Sequence, residues 1–293
     1  MKSRFCLAAC VLWLVFAPAA SPAAETRCPF DETKLEFVGT PLEQARCLLR
    51  PVAEFSRLGQ PLTTLPRPLE SLIGRRVTVN KEKLERYLEE HDIQETEIGG
   101  AITNVLRAKY FVIHDVSAPN YHEQSFPTNI NEADWKWNDL NRWRSDQAAH
   151  FFVNRLGQSV APHTLTTPWR ATKLEVRVLG EKSRGLFVHT ELIQPRRADP
   201  QGHPGNDGIA PLPGFTEAQL DRLALIYLVA SSEHGTWMVP AYHAAIDAGI
   251  PDGHDDPQNF DLALWADRLR LLLNAVSAEP QPTDERKINF NRR

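Results

Sequence analysis

Two short runs constrain the chain most. LFVHTELI at 186–193 alternates strictly, with Leu186, Val188, Thr190 and Leu192 on one side and Phe187, His189, Glu191 and Ile193 on the other. That period of two predicts a strand carrying His189 and Glu191 on a common face. KYFVIHDV at 109–116 places four apolar residues in a row, two of them β-branched, which predicts a strand buried on both faces with His114 at its end. Shorter strands are expected in HFFVNRLGQSV, with Gly157 at a hairpin turn, in LEVRVLG at 174–180 and in WMVP. Leu174, Val176 and Val178 would share one face of a half-buried strand.

Helices are expected around them. Thr216 is a good N-cap, Gln219 completes a capping box and Phe215 with Leu220 fits a hydrophobic staple. The stripe Leu220, Leu223, Ala224, Tyr227 follows, and Gly235 ends the helix. A second long helix should start near Asp261, with Leu262, Trp265 and Leu269 at helical spacing. KEKLERYLEEH predicts a third, with Leu84 and Leu88 four apart. Residues 120–147, rich in Asn and Trp, read as a surface insertion. The Pro- and Gly-rich stretch 194–214 reads as a long functional or mobile loop.

The start of the chain sets the compartment. Lys2 and Arg4 precede a short apolar run at 5–17 and then small residues, the pattern of a secretory signal peptide over 1–23. An uncleaved anchor is the alternative. Leu7-Ala8-Ala9-Cys10 imitates a lipoprotein box, but the apolar run continues past Cys10. Cleavage would leave Cys28 and Cys47. In an exported chain that suggests one disulfide closing a short loop, with two free buried thiols as the alternative. No other segment is long and apolar enough to span a bilayer, so no stable membrane anchor is expected after cleavage. With 33 basic residues against 37 acidic, the chain lacks the basic excess that nucleic-acid binding favours. Residues 24–98 read as an N-terminal module, a clamp packed on a main domain at 99–277, with a polar tail at 278–293.

GHDDPQNF at 253–260 puts His254, Asp255 and Asp256 on a loop, since Pro257 disfavours helix for its predecessor. Such a loop can bind a metal or be a solvated acidic turn. His114 and His243, each taken alone, read more simply as satisfied core histidines.

The order of these pieces resembles the zinc-dependent N-acetylmuramoyl-L-alanine amidase family, over roughly 108–272. YFVIHDVS is similar to the strand ending in the family's first zinc histidine, and HFFVNRLGQ to its His-led hairpin. LFVHTELI is similar to the strand bearing the catalytic glutamate, and PGFTEAQLDRLALI to its Phe-Thr-x-x-Gln helix. AYHAAID matches the second zinc histidine, and DDPQNFDLALW the Asp-Pro closing motif. The resemblance implies an α/β fold with a mixed central β-sheet flanked by helices, joined to the small N-terminal module, and a metal at the sheet's edge. It implies Zn2+ held by His114, His243 and Asp256 beside Glu191 as general base. His254 stands where the family often has a lysine that steadies the oxyanion, and is alternatively the third ligand. His189 replaces a small residue of the family and would narrow the site or support a ligand. The spacing from His243 to Asp256 is also longer than is usual in the family, and the Asp-Pro motif lacks its usual Gly-Pro continuation.

The implied function is hydrolysis of the amide between N-acetylmuramic acid and the L-alanine of the stem peptide, on peptidoglycan or muropeptides in the periplasm or outside the cell. A non-catalytic peptidoglycan-binding module of the same fold and a structural envelope protein are the rival readings. Trp135, Trp137 and Trp143 would stack on sugars or pack the insertion. Arg196 and Arg197 would meet stem-peptide carboxylates or stay solvated, and Arg196 or Arg197 is an alternative partner for Glu191. The oligomeric state is not specified by the sequence.

Overall fold

The computed structural model describes residues 27–53, 57–100, 106–198 and 208–276. The signal-peptide and tail readings lie outside these residues, as does 199–207 of the long loop. The N-terminal elements are two small hairpins and three helices. Strands β1 (Phe30–Asp31) and β2 (Glu36–Phe37) precede helix α1 (Pro41–Leu48). Strands β3 (Val52–Ala53) and β4 (Arg57–Leu58) precede α2 (Arg67–Leu72) and α3 (Lys81–Glu90). Leu84 and Leu88 of α3 are buried, as their spacing predicts. A disulfide joins Cys28 to Cys47.

Five strands then form one mixed sheet: β5 (Tyr110–Asp115), β6 (Phe151–Val153), β7 (Ser159–Val160), β8 (Phe187–Leu192) and β9 (Val239–Tyr242), in the order β7-β6-β8-β5-β9. All pairings are parallel except the β6–β7 hairpin. That hairpin turns at Gly157, where φ is +77° and an added Cβ would sit 2.5 Å from the Ala218 carbonyl oxygen. Every residue of β5 is buried, as expected for a strand covered on both faces.

Helices α4 (Glu217–His234), α5 (His243–Asp247) and α6 (Leu262–Val276) complete the domain. The Thr216 side chain accepts from the Gln219 amide, the Gln219 side chain closes the capping box, and Gly235 ends the helix in a left-handed conformation. Asp261 accepts from the Leu264 amide at the start of α6. Tyr227 of α4 packs against Phe111 on one face of the sheet and against Trp265 of α6. On the opposite face Tyr110 stacks on Phe187 and meets Phe37 edge-on, while its hydroxyl accepts from the Phe37 amide. One continuous apolar core therefore runs from the N-terminal hairpins to α6.

Two expected strands differ. Residues Leu174–Leu179 form a wide helical turn, not a strand. Leu174, Glu175 and Leu179 point inward, while Val176 and Val178 are exposed. Side-chain carboxylates cap the amides of 171–174, and this local bonding outweighs the alternating pattern. The strand expected at WMVP is displaced to VPAY, because Val239–Tyr242 are the residues that pair with Tyr110–Ile113. Within the insertion, Trp135 and Trp143 are buried in a satellite cluster with Ile130, Phe152, Val160 and Ile193. Those two indoles therefore pack the insertion and are not available to sugars. Trp137 is half-buried with the Arg142 guanidinium 3.7 Å above its ring.

Candidate metal centre

The parallel register builds the site. His114 on β5 lies directly opposite Glu191 on β8. Ile113 pairs with Tyr242 on the other side, so His243, the next residue, falls beside His114. Glu191 and His114, with His243 just past the end of β9, thus form a row at the carboxyl ends of three adjacent strands, where ligand sites of open α/β sheets gather. The loop before α6 supplies the fourth member. Its Asp256 carbonyl accepts from the Ala244 amide at the start of α5, and Asp256 Oδ2 accepts from the Asp115 amide at 3.0 Å.

The donor atoms converge. His114 Nδ1 lies 2.9 Å from His243 Nδ1 and 3.8 Å from Asp256 Oδ2, and His243 Nδ1 lies 3.0 Å from Asp256 Oδ1. A tetrahedral ion with metal–ligand bonds near 2.0–2.1 Å spaces its donors about 3.3 Å apart, inside this range. His114, His243 and Asp256 form a buried cluster that could hold a metal ion. Glu191 Oε1 lies 3.8 Å from His114 Nδ1, and Glu191 Oε2 is buried without a hydrogen-bond partner. An unpartnered carboxylate oxygen beside such a cluster is the kind of group that a bound ion or its ligand would satisfy.

The charges are interdependent. Burial and then the neighbouring His243 hold His114 well below the usual histidine range. Burial pulls His243 down too, but Asp256 and Asp247 outweigh it and hold its pKa well up. Burial opposes ionisation of Asp256, yet His243 keeps it below the usual carboxylate range. Burial, reinforced by the negative charge of Asp256, holds Glu191 well above its ordinary value. The metal-free cluster is therefore best described as a buried His243 cation paired with the Asp256 carboxylate, facing a neutral His114.

His254 stands at the mouth. Its ring stacks on His243 with centroids 4.5 Å apart, its Nδ1 is 3.8 Å from Asp256 Oδ1, and its side chain is 49% exposed. It is not one of the three clustered donors. Arg196 takes neither of its expected roles. It is wholly buried and pairs with Asp115 at 2.7 Å, so it neither partners Glu191 nor faces solvent to meet a substrate. That pair braces the strand end, because Asp115 also accepts from Ser117 and Gln258. Arg197 is half-buried, its guanidinium 5.8 Å from the Phe126 ring, beside a cavity of about 390 Å³ lined also by Ile209 and Leu212.

Three residues at the site escape the sequence reading. Asp247 sits 2.9 Å from His243 Nε2, four residues along α5, a spacing visible in HAAID. Glu175 lies 3.2 Å from His189 Nε2, and His189 Nδ1 lies 3.0 Å from His114 Nε2. His150 Nδ1 accepts from the His189 amide and its ring stacks on that of His189. His150 heads the HFFVNRLGQ hairpin, but its contact with His189 is made across the sheet, and no sequence spacing announces Glu175. No protein-family model matches the chain, and no curated protein sequence matches it.

Proposed function

We propose that this protein is a zinc-dependent N-acetylmuramoyl-L-alanine amidase that hydrolyses the muramic acid–L-alanine amide of peptidoglycan or muropeptides in the periplasm or outside the cell. The observation that carries the reading is the row Glu191, His114, His243 at the carboxyl ends of three parallel strands, closed by Asp256. Zinc suits a set of two imidazoles and one carboxylate with a further position left for water or substrate. The Cys28–Cys47 disulfide supports an oxidising compartment.

When bound, the ion supplies Lewis acidity toward water and the amide carbonyl. The chain supplies the proton transfers. Glu191, with Oε2 unpartnered, takes a proton from the attacking water and delivers it to the leaving nitrogen. His254, half-exposed beside the trio, donates an N–H to the carbonyl oxygen as negative charge grows there. Burial of His114, His243 and Asp256 keeps bulk water from competing for these charges.

The test is release of free stem peptide from purified muropeptides, with bound zinc measured on the same samples. Wild type should carry zinc and cleave. His243→Ala should lose both, and Glu191→Ala should keep zinc and lose cleavage. Wild type that binds muropeptides and zinc but cuts nothing would favour a binding module. Equal cleavage by wild type and Glu191→Ala would remove Glu191 as the base.

A further inference from the structure

Both histidines of the trio are held from behind by the same short turn. On one side, His114 Nε2 meets His189 Nδ1 at 3.0 Å, and His189 Nε2 lies 3.2 Å from Glu175 Oε2. The three side chains form a buried chain leading away from the cluster. On the other side, His243 Nε2 lies 2.9 Å from Asp247 Oδ2. Both carboxylates are anchored in residues 171–175. Glu175 Oε2 accepts from the amides of Ala171 and Thr172 and from the Thr172 hydroxyl, each at 3.0 Å. Asp247 accepts from the amides of Lys173 and Leu174 at 3.1 and 3.0 Å. Four successive amides thus aim at two carboxylates, and each carboxylate leads to one histidine.

The proton positions follow. A carboxylate only accepts, so His189 carries its proton on Nε2 toward Glu175 and presents Nδ1 as an acceptor. His114 then carries its proton on Nε2, which frees its Nδ1 lone pair toward His243 and Asp256. Asp247 likewise claims the Nε2 proton of His243. Both contacts to the carboxylates are at ion-pair distance, 3.2 and 2.9 Å, without the alignment of a hydrogen bond.

We propose that the 171–175 turn is a common brace for the metal centre, with His189, Glu175 and Asp247 as positioning residues that aim both Nδ1 atoms at one ion. The inference rests on the metal-centre reading but not on the peptidoglycan substrate, and its test uses zinc alone. Groups that orient a ligating histidine typically contribute about ten- to a hundred-fold in metal affinity. Zinc affinity, measured by competition with a chromophoric chelator, should fall by about that factor in His189→Phe and in Asp247→Asn. Within the first arm, His189→Phe combined with Glu175→Gln should lose about as much as His189→Phe alone. Adding Asp247→Asn should lose more. Unchanged zinc affinity in both single variants would overturn the brace while leaving the centre intact, whereas wild type that binds no divalent ion would overturn both.

A second measurement stands even if a variant does not fold. Long-range nitrogen–proton NMR correlations on metal-free wild type should find His114 protonated on Nε2 and bare on Nδ1. The opposite tautomer would overturn the proposal.

Discussion

His114 and His243 approach to 2.9 Å through Nδ1 atoms that lie in one buried cluster. In metal-free protein that contact is satisfied by a proton, since Asp256 and Asp247 hold His243 well above the ordinary histidine range against the pull of burial. An ion binding at Nδ1 must displace that proton. Zinc affinity should therefore rise with pH up to the raised pKa of His243 and flatten above it. Isothermal titration across a pH series checks this, and a pH-independent affinity would contradict it. Glu191→Gln should keep the metal and lower turnover by about 10²–10⁴-fold, the usual contribution of a positioned acid–base group, as measured by muropeptide kinetics. The trio was legible through the order of motifs around His114, His243 and Asp256. Each residue alone reads as ordinary, and their meeting depends on sheet register that no local pattern states. Asp247 was missed although its spacing from His243 carries a signal, whereas Glu175 was hidden because its segment mimics a strand.

At the scale of elements, the pattern that fails is the instructive one. LEVRVLG alternates cleanly, yet Val176 and Val178 face solvent and Leu174, Glu175 and Leu179 face inward. Carboxylates from Glu175 and Asp247 take up the amides of the preceding residues and hold the chain in a turn. β8 has the same period but is flanked on both edges by β5 and β6, so its alternation holds. Where caps carry their own chemistry, as at α4, sequence and structure agree. Thr216→Ala should cost about 1 kcal/mol of stability in denaturant unfolding, the usual value of a lost N-cap. Gly157→Ala should cost about 1–3 kcal/mol, because it combines a left-handed backbone with a close approach to the Ala218 carbonyl. A stability equal to wild type would show that the β6–β7 turn can shift away from α4.

Across the whole molecule, the N-terminal elements and the sheet share one apolar core. Phe37, Leu48 and Leu69 belong to the same cluster as Tyr110 and Trp265. The disulfide ties β1 and α1 together over a sequence separation of 19, for which loop-closure entropy suggests about 3 kcal/mol. Cys28→Ser with Cys47→Ser should lower the melting temperature while leaving zinc affinity unchanged, since the bridge belongs to neither the metal cluster nor its brace. A loss of zinc affinity in the folded variant would show that the N-terminal elements reach the site. Metal analysis of the purified chain tests the central claim most directly. After loading with zinc and removal of free ion by gel filtration, wild type should retain one ion per chain, and His114→Ala, His243→Ala and Asp256→Ala should each retain almost none. Full retention in those three variants, or none in wild type, would contradict the account.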